Sequence, residues 1–299
     1  MALMLHRTVA EFRAAANRVR STGKRLGLVP TMGALHEGHL SLVREARTRA
    51  GEVAVTIFVN PTQFGPNEDF DRYPRTLERD IELLEGAGAS HVFAPQASEM
   101  YPEGERTRVH VSGLTAALCG PHRPGHFDGV TTIVSKFFAV AGECVAVFGR
   151  KDYQQLKVVE RMTRDLLLPV EVVGLRTLRQ SDGLALSSRN AYLTPAERER
   201  ALGIPRALSA AVAAFEAGER GVGALRAAAL PFLERADLRL DYLTLADADS
   251  LVPVPDAEPS RERALLAVAG FIGKTRLIDN VVLGEDPAPI AASKHLEDG

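Results

Sequence analysis

The chain has 299 residues, which is enough for two domains or one large one. Its content of 45% hydrophobic and 25% charged residues is typical of a globular protein, and a formal net charge of −2 gives nucleic-acid binding no support. No apolar run is long enough to span a bilayer, which argues against a membrane protein. Two cysteines, Cys119 and Cys144, lack metal-ligand spacing, so we expect no disulfide framework and a reducing, cytoplasmic setting.

The N-terminal segment allows two interpretations. Residues 1–20 are rich in arginine and contain an alanine cluster, a composition that transit peptides and amphipathic helices share. Glu11 favours the helix, because transit peptides are poor in acidic residues. The segment also leads directly into the first apolar run. We therefore predict an amphipathic first helix.

Apolar runs alternate with helical patterns through roughly the first 180 residues. The runs are almost continuously apolar, as strands are when helices cover both faces of a sheet. This alternation predicts an α/β fold with a parallel, doubly wound sheet, whose ligands lie beyond the carboxyl ends of the strands. The predicted strands are 25–29, 53–59, 91–94, 144–148 and 171–175, and the predicted helices are 40–50, 76–87, 130–141 and 152–166.

The pattern changes after about Leu184. Thr194, Pro195 and Glu197 have the spacing of a helix N-cap, a first-position proline and a first-turn acid. Helical sequence continues to about residue 236, with a break near 218–223, and strand-like runs follow. This order predicts a smaller α+β C-terminal domain. The predicted division is 1–183, 184–285 and a disordered tail at 286–299, and the late strands are 238–245, 264–271 and 277–283.

The most informative segment is LVPTMGALHEGH, residues 28–39, where a predicted strand gives way to a helix. A helix N-terminus offers free N–H groups to an anion, and Gly33 and Gly38 let the backbone approach a ligand closely. His36 and His39 are therefore predicted to donate hydrogen bonds to phosphates. A zinc metalloprotease motif fails on spacing, because Leu40 stands where its second histidine belongs. A two-histidine metal site and purely structural histidines remain alternatives.

Polar residues also follow the second predicted strand, in FVNPTQFGPN, residues 58–67. The amides of Asn60 and Gln63 would lie on the ligand side of the sheet, where they can read hydroxyls and carboxylates. A simple turn is the equal alternative, because Asn-Pro and Gly-Pro are common in turns. A charged flap follows at 68–75. Asp80, just beyond it, is a weak metal candidate.

Two further blocks carry groups suited to phosphates. In FGRKDYQQ, residues 148–155, Lys151 is a cation at a strand end and Gln155 lies about one turn into a helix; Asp152 is explained as a helix cap. In SDGLALSSRN, residues 181–190, two hydroxyls and a guanidinium in sequence are able to clamp a triphosphate. A polar interdomain loop is the alternative for that block. PHRPGHFDG, residues 121–129, contains Arg123 but says little alone.

In this order and spacing, the blocks resemble the pantothenate synthetase family, also called pantoate–β-alanine ligases, within the HxGH nucleotidyltransferase superfamily. The resemblance covers residues 9–283 and includes TRLIDN at 275–280. Three positions depart from the family pattern: Arg150 replaces a glutamate, Leu186 a methionine and Lys274 a threonine. Leucine for methionine conserves volume. Arg150 would strengthen ATP binding if it pointed inward and change little if it faced solvent.

The resemblance implies a Rossmann-like domain with a smaller C-terminal lid, a homodimer, and a ligase that forms a carbon–nitrogen bond. It implies that (R)-pantoate and β-alanine are joined to pantothenate, a coenzyme A precursor, with ATP split to AMP and pyrophosphate through a pantoyl adenylate. It implies that Mg²⁺ accompanies ATP, although it does not give the ligands of the ion, and that there is no organic prosthetic group. It implies neither a nucleic-acid partner nor a membrane. The implied catalytic residues are His39, as proton donor, and His36. The implied ATP-binding residues are Met32, Gly33, Ala34, Leu35, His36, Glu37, Gly38, His39, Gly149, Arg150, Lys151, Asp152, Leu178, Leu186, Ser187, Ser188 and Arg189, and Gln63 and Gln155 would hold pantoate, with Gln63 also near β-alanine.

Three alternatives stay open at this point. The second enzyme hypothesis is a nucleotidyltransferase that adenylylates a phosphate. The paired glutamines, Gln63 and Gln155, and the Arg123 block argue against this hypothesis. A nucleotide-sensing protein without turnover would be expected to have lost a histidine or the Ser-Ser-Arg sequence, and this chain keeps both. A zinc-binding protein is the third alternative.

Overall fold

The computed structural model describes residues 3–66 and 68–290. It divides into two compact units, the first ending at Thr177 and the second beginning at Leu178. This division falls a few residues before the boundary predicted at 183/184. The reason is local pairing: the Leu186 N–H donates to the Leu178 carbonyl at 3.0 Å, so residues 178–183 stay with the segment that follows them.

The first unit contains a six-stranded sheet in which every pair of neighbours is parallel. The strand order is β1-β4-β3-β2-β5-β6, which confirms the predicted doubly wound α/β architecture. The edge strand β1 was not predicted, because three residues are too few to show a periodicity. The strands are β1 (Met4–His6), β2 (Leu26–Thr31), β3 (Glu52–Ile57), β4 (His91–Phe93), β5 (Cys144–Gly149) and β6 (Val170–Leu175).

Helices connect these strands and cover the sheet. The first helix is present as predicted, with a capping box between Thr8 and Glu11 and an inward face that includes Phe12. None of the described helices is long and apolar enough to cross a membrane. The helices of this unit are α1 (Val9–Ser21), α2 (Glu37–Arg49), α3 (Leu77–Ala87), α4 (Ala97–Met100), α5 (His126–Ala141) and α6 (Tyr153–Asp165).

The chain reverses its direction of winding between β2 and β5. From β2 the next strands along the chain, β3 and then β4, lie on one side, whereas β5 and β6 lie on the other. In doubly wound sheets, ligands bind in the crevice at the carboxyl ends of the two strands where this reversal occurs. The loops after β2 and β5 are therefore brought side by side, and the loop after β3 is next to them.

The second unit follows the predicted order of helices and then strands. Thr194 is the expected N-cap and forms a capping box with Glu197, and Gly218 adopts a φ of +100° in the predicted break between two helices. Helices and sheet share one apolar core that includes Leu208, Leu225 and Leu266. The elements are α7 (Pro195–Ala201), α8 (Gly203–Glu216), α9 (Val222–Arg235) and an antiparallel sheet of β7 (Arg239–Asp247), β8 (Ala264–Ile272) and β9 (Thr275–Leu283).

The predicted disordered tail begins at 286, but residues 286–290 still contact the second unit. The Ile290 N–H donates to Ser209 Oγ at 3.0 Å, and the Asp286 carboxylate accepts from the Val282 N–H at 2.8 Å. The remainder of the predicted tail, 291–299, lies outside the described residues.

Two histidines form a buried chain of hydrogen bonds across β1, β4 and β3. His91 Nε2 lies 3.1 Å from a carboxylate oxygen of Glu52, and His6 Nε2 lies 3.1 Å from His91 Nδ1. The carboxylate can only accept, so His91 carries its proton on Nε2 and accepts from His6 through Nδ1. Burial lowers the pKa of both histidines, and the His91 ring lowers that of His6 further. The folded state therefore favours the neutral forms of His6 and His91.

Acid should therefore weaken the fold, and His91→Gln should reduce that sensitivity. These two histidines bind protons more readily in the unfolded state than in the folded state. The free energy of unfolding therefore falls as the pH drops below about 6.5. We expect the slope of unfolding free energy between pH 6.5 and 5 to become shallower in the variant, by at most about 1.4 kcal/mol per pH unit, the value for one proton. Urea denaturation across this range measures it. The matched control is His110→Gln, because the His110 side chain is 62% exposed. An unchanged slope in the His91 variant would contradict the assignment.

Candidate active site

The two histidines of the HEGH sequence form the first turn of α2. This helix begins at Glu37, three residues before the predicted start, and His36 is its N-cap. His36 Nδ1 accepts from the Gly38 N–H at 3.1 Å, and His39 Nδ1 accepts from the His36 N–H at 3.4 Å. The imidazoles therefore close the helix start in the way that serine or aspartate usually does. The prediction missed the early start because histidine is not among the usual capping signals.

These hydrogen bonds also determine where the ring protons lie. Since Nδ1 of each ring accepts from a backbone N–H, each neutral ring carries its proton on Nε2. The two rings stack with centroids 4.1 Å apart. Both Nε2–H groups remain as donors at the start of a helix, which is where anions bind most readily.

The charge state of the pair follows from its surroundings. Burial, then the neighbouring His36 and Lys151, lowers the pKa of His39 to about 3. Burial, then Lys151, lowers the pKa of His36 to about 4, against a smaller opposing effect of Asp152. At neutral pH both rings are uncharged. They can donate hydrogen bonds to an anion, while Lys151 supplies the positive charge beside them.

A buried carboxylate holds the loop that leads to these histidines. Gly33 and Ala34 both adopt left-handed conformations, with φ of +82° and +50°. Such a conformation costs energy at alanine and needs support from its surroundings. Asp80 provides it: the side chain is 1% exposed, and its two oxygens accept from the Ala34 and Leu35 N–H groups at 2.9 Å each. Both oxygens of Asp80, the weak metal candidate from the sequence, thus accept hydrogen bonds from backbone N–H groups.

The loop after β5 brings a second set of predicted residues to the same end of the sheet. Residues 150–152 form one turn of 3-10 helix before α6. Asp152 occupies the N-cap position of α6 as expected, but its side chain makes no capping hydrogen bond. Arg150 points inward and is 9% exposed; its guanidinium lies 5.6 Å from the Tyr153 ring centroid, and its stem packs beside Gly174 of β6.

The two amides after β3 separate into different roles. Asn60 is 1% exposed and caps the 3-10 turn Pro61–Gln63, and its amide group donates to the Gly129 carbonyl at 3.1 Å. For Asn60 the turn interpretation is therefore correct. Gln63 is half-buried, with its amide oxygen 3.1 Å from Asn60 Nδ2 and its amide nitrogen against Met32 Sδ. The contact with Met32 joins the loop after β3 to the loop after β2.

The adjacent glutamines of α6 also differ. Gln154 is buried, and it binds three backbone groups of residues 114–119, accepting from the Cys119 N–H and donating to two carbonyls. Gln155, the predicted ligand residue, is half-buried in the first turn of α6. Its position follows the 150–152 turn directly, so it belongs to the same loop cluster as Lys151.

The Ser-Ser-Arg sequence lies in the second unit, within a tightly bonded segment. Ser187 caps a short 3-10 helix, Ser188–Tyr192, by accepting from the Arg189 N–H. Arg179 anchors the segment to β9 through two bonds to the Asp279 carboxylate, at 2.6 and 3.0 Å, and a third to the Asn280 carbonyl. The predicted residues Leu178 and Leu186 are paired through their backbones. Arg179 gave no signal in the sequence, because its partner Asp279 is a hundred positions away.

Three of the predicted blocks thus come together in the first unit, at the carboxyl ends of β3, β2 and β5. The fourth block, which contains Ser187 to Arg189, lies in the second unit. Lys274, one of the three unusual residues, is exposed at the turn between β8 and β9. The residues brought together in the first unit are Met32 to His39, Gln63, Gly149 to Asp152 and Gln155.

This fold and this site define the class of the protein, a Rossmann-like nucleotide-binding protein with an HxGH motif. The model of the pantoate–β-alanine ligase family matches residues 4–282. The chain belongs to the pantoate–β-alanine ligase family, and it is a ligase.

Individual relatives agree with this assignment over nearly their whole length. The chain is 52% identical to pantothenate synthetase of Geobacter sulfurreducens over 280 residues, covering 93% of this chain and 98% of that protein. The crystal structure of pantothenate synthetase from Thermus thermophilus matches with a TM-score of 0.88 and 48% identity, over 94% of this chain and 99% of that one. The pantoate–β-alanine ligase of Francisella tularensis, complexed with β,γ-ATP and β-alanine, matches with a TM-score of 0.78 and 31% identity, over 96% of this chain and 100% of that one.

Replacing Asp80 should loosen the loop that precedes the histidines. In Asp80→Asn one oxygen becomes an NH₂ group, which faces a backbone N–H that then has no acceptor. We expect the free energy of unfolding to fall by about 1–3 kcal/mol, the cost of one unsatisfied buried group. Urea denaturation measures it, with Glu82→Gln on the exposed face of α3 as the matched control. Equal stability of the two variants would show that Asp80 does not support the loop.

Proposed function

We propose that the chain joins (R)-pantoate to β-alanine to form pantothenate, splitting ATP to AMP and pyrophosphate through an enzyme-bound pantoyl adenylate. The observation that carries the proposal is the pair of imidazole Nε2–H donors beside Lys151 at the reversal point of the sheet, with the Gln63 amide on the adjoining loop. Membership of the pantoate–β-alanine ligase family supports the choice of substrates.

The first step needs little covalent help from the protein. Pantoate is already a carboxylate at neutral pH, so it attacks the α-phosphorus of ATP without a general base. A bond forms between the carboxylate oxygen and the α-phosphorus, and the bond from this phosphorus to the pyrophosphate oxygen breaks. The protein must align the groups and offset the negative charge on the phosphates. We assign this task to His36, His39 and Lys151, which supply two neutral donors and one cation.

The low pKa of His39 refines its proposed role. A ring that is neutral at pH 7 acts by donating the Nε2–H hydrogen bond to a phosphate oxygen rather than by delivering a full proton from an imidazolium. Such a donor strengthens as charge develops on the departing pyrophosphate. His36 acts in the same way from the adjoining ring.

The other ATP-binding residues that the family resemblance implies are proposed as well. In the first unit they come from the loops after β2 and β5, and in the second unit from the segment anchored by Arg179. Ser187, Ser188 and Arg189 add hydroxyls and a guanidinium for the phosphates. The other proposed residues are Met32, Gly33, Ala34, Leu35, Glu37, Gly38, Gly149, Arg150, Asp152, Leu178 and Leu186.

Gln63 and Gln155 are proposed to hold pantoate. Amides suit this substrate because they both donate and accept, and pantoate carries hydroxyls as well as a carboxylate. In the second step the neutral amine of β-alanine attacks the acyl carbon of the adenylate. A carbon–nitrogen bond forms, and the bond between the acyl carbon and the phosphate oxygen breaks to release AMP. Gln63 is proposed to lie near β-alanine as well.

Mg²⁺ is proposed to enter with ATP as part of the substrate. Across residues 3–66 and 68–290, no group of three histidine, cysteine or acidic side chains is arranged to hold a metal ion. Mg²⁺ usually keeps several waters and binds through substrate phosphates with one or two carboxylates at most. Its chemistry here would be to screen phosphate charge.

A homodimer in the cytoplasm is the proposed state of the protein. The dimer follows from the resemblance to the family. The location is supported by the cysteines, since Cys119 and Cys144 are both buried thiols. Burial raises the pKa of Cys144 to about 12, so its side chain stays an unreactive thiol.

Product analysis tests the proposed function directly. Purified protein with ATP, (R)-pantoate and β-alanine should yield pantothenate and AMP in equal amounts, detected by mass spectrometry. Without β-alanine, it should exchange labelled pyrophosphate into ATP only when pantoate is present, as an adenylate intermediate requires. Exchange that depends instead on a phosphate ester would favour a nucleotidyltransferase.

Substitutions at His39 should separate its hydrogen bond from its bulk. His39→Ala should abolish pantoate-dependent pyrophosphate exchange, whereas His39→Gln, which keeps an N–H near the Nε2 position, should retain more activity than His39→Asn. Circular dichroism should show an intact fold in all three. A His39→Ala rate within about tenfold of wild type, about 1.4 kcal/mol of barrier, would contradict the role.

A further inference from the structure

We infer that Arg123 and His126 are positioning residues that fix Gln63 and thereby set the affinity for the carboxylate substrate. The inference rests on the proposed role of Gln63 in holding pantoate. Neither residue is among the predicted ligands, and the PHRPGHFDG block that contains them said little from sequence alone.

His126 binds the main chain of Gln63. Its Nδ1 lies 2.8 Å from the Gln63 carbonyl oxygen, which can only accept, so the proton of this ring is on Nδ1. Gln63 closes the 3-10 turn after β3, and a shift of its carbonyl would carry the side-chain amide with it. The His126 hydrogen bond therefore fixes the point from which the Gln63 side chain extends.

Arg123 holds the His126 ring in this orientation. Its Nη1 lies 2.9 Å from His126 Nε2, which must accept, so Arg123 determines the tautomer that donates to Gln63. Burial, then the nearby Arg123 charge, lowers the pKa of His126 to about 4, which keeps the ring neutral. A second Arg123 nitrogen lies 3.4 Å from the Gln63 carbonyl oxygen.

The Arg123 guanidinium is itself held by the flap. Its Nε and Nη2 donate to the two carboxylate oxygens of Glu68 at 2.7 and 2.6 Å. Such a two-point pair fixes the plane of the guanidinium as well as its position. The resulting chain runs from Glu68 through Arg123 and His126 to the Gln63 carbonyl.

Close packing prevents the turn from adjusting independently. A side chain at Gly129 would place Cβ 2.4 Å from the Thr62 carbonyl oxygen, so the first turns of α5 lie directly against the 3-10 turn. The Gly129 carbonyl also accepts from Asn60. On the other side, the Gln63 amide contacts Asn60 and Met32. Residue 63 is thus held by α5 through its main chain and by the site through its side chain.

A pair of substitutions of similar size tests the His126 hydrogen bond. In His126→Asn the side-chain NH₂ lies near the Nδ1 position and can still donate to Gln63, whereas in His126→Gln it reaches the Nε2 position and cannot. The KM for pantoate and for ATP are measured by pyrophosphate exchange in both variants and in Arg123→Lys, which loses the fixed fork. Gln63→Ala shows the effect of losing the side-chain amide itself, and His110→Gln is the control substitution. The thermal unfolding of every variant is measured to check that it is folded.

We expect His126→Gln to raise the KM for pantoate by about tenfold, as for one hydrogen bond, while the KM for ATP stays within about twofold. His126→Asn should stay within about threefold of wild type, and Arg123→Lys should raise the pantoate KM alone. Equal changes in both KM values, or equal behaviour of the Asn and Gln variants, would overturn the inference.

The outcomes also distinguish the inference from the proposed function. Wild-type protein without pantoate-dependent exchange would overturn both. Normal wild-type exchange with an unchanged pantoate KM in Gln63→Ala would overturn the inference while leaving the reaction intact. If the His126 variants fail to fold, Arg123→Lys gives the result, because it keeps the charge opposite Glu68.

Discussion

The hydrogen bonds from the Ala34 and Leu35 N–H groups to the buried Asp80 carboxylate are the constraint on which the site depends. They hold two consecutive residues in left-handed conformations and so turn the chain sharply after β2. Because of this turn, His36 reaches the N-cap of α2 and His39 its first turn. A carboxylate accepting two N–H bonds in a buried place contributes rigidity that a solvent-exposed loop would lack.

The loop after the neighbouring strand is held in a similar way. After β3, the chain is held by buried or half-buried polar side chains that bind backbone groups: Asn60 from within the turn and His126 from α5. Gln154 does likewise for residues 114–119, and Arg179 for the Ser-Ser-Arg segment of the second unit. Binding sites work best when their contact groups are supported by a surrounding layer that cannot shift. Here that layer consists largely of side chains bonded to the main chain.

Electrostatics at the reversal point of the sheet is asymmetric. The two imidazoles are neutral because burial and Lys151 disfavour a further positive charge. The site therefore offers neutral donors with defined directions and a nearby cation, rather than a cluster of positive charges. Such an arrangement suits a phosphate chain, because donors keep their direction whereas like charges would repel one another. The Arg150 side chain does not approach these donors from the solvent side. It packs inward beside Tyr153 and Gly174.

Much of the architecture could be predicted from local patterns. Continuous apolar runs between helical segments were sufficient for a parallel, doubly wound sheet, and the N-cap predicted at Thr194 was correct to the residue. The spacing of the four polar blocks was sufficient for the family. These features depend on residues close together in sequence, where periodicity, capping and turn chemistry operate.

The order of the strands and the inward direction of Arg150 were decided only by the tertiary structure. So were the separate roles of Asn60 and Gln63, since Asn60 binds Gly129, and the function of Asp80, which meets its partners from a different helix. Each depends on contacts between segments that are distant along the chain and become neighbours only when the strands align in the sheet. The sequence determined which elements form and which polar residues follow them; the tertiary structure determined which of those residues support the site and which face it.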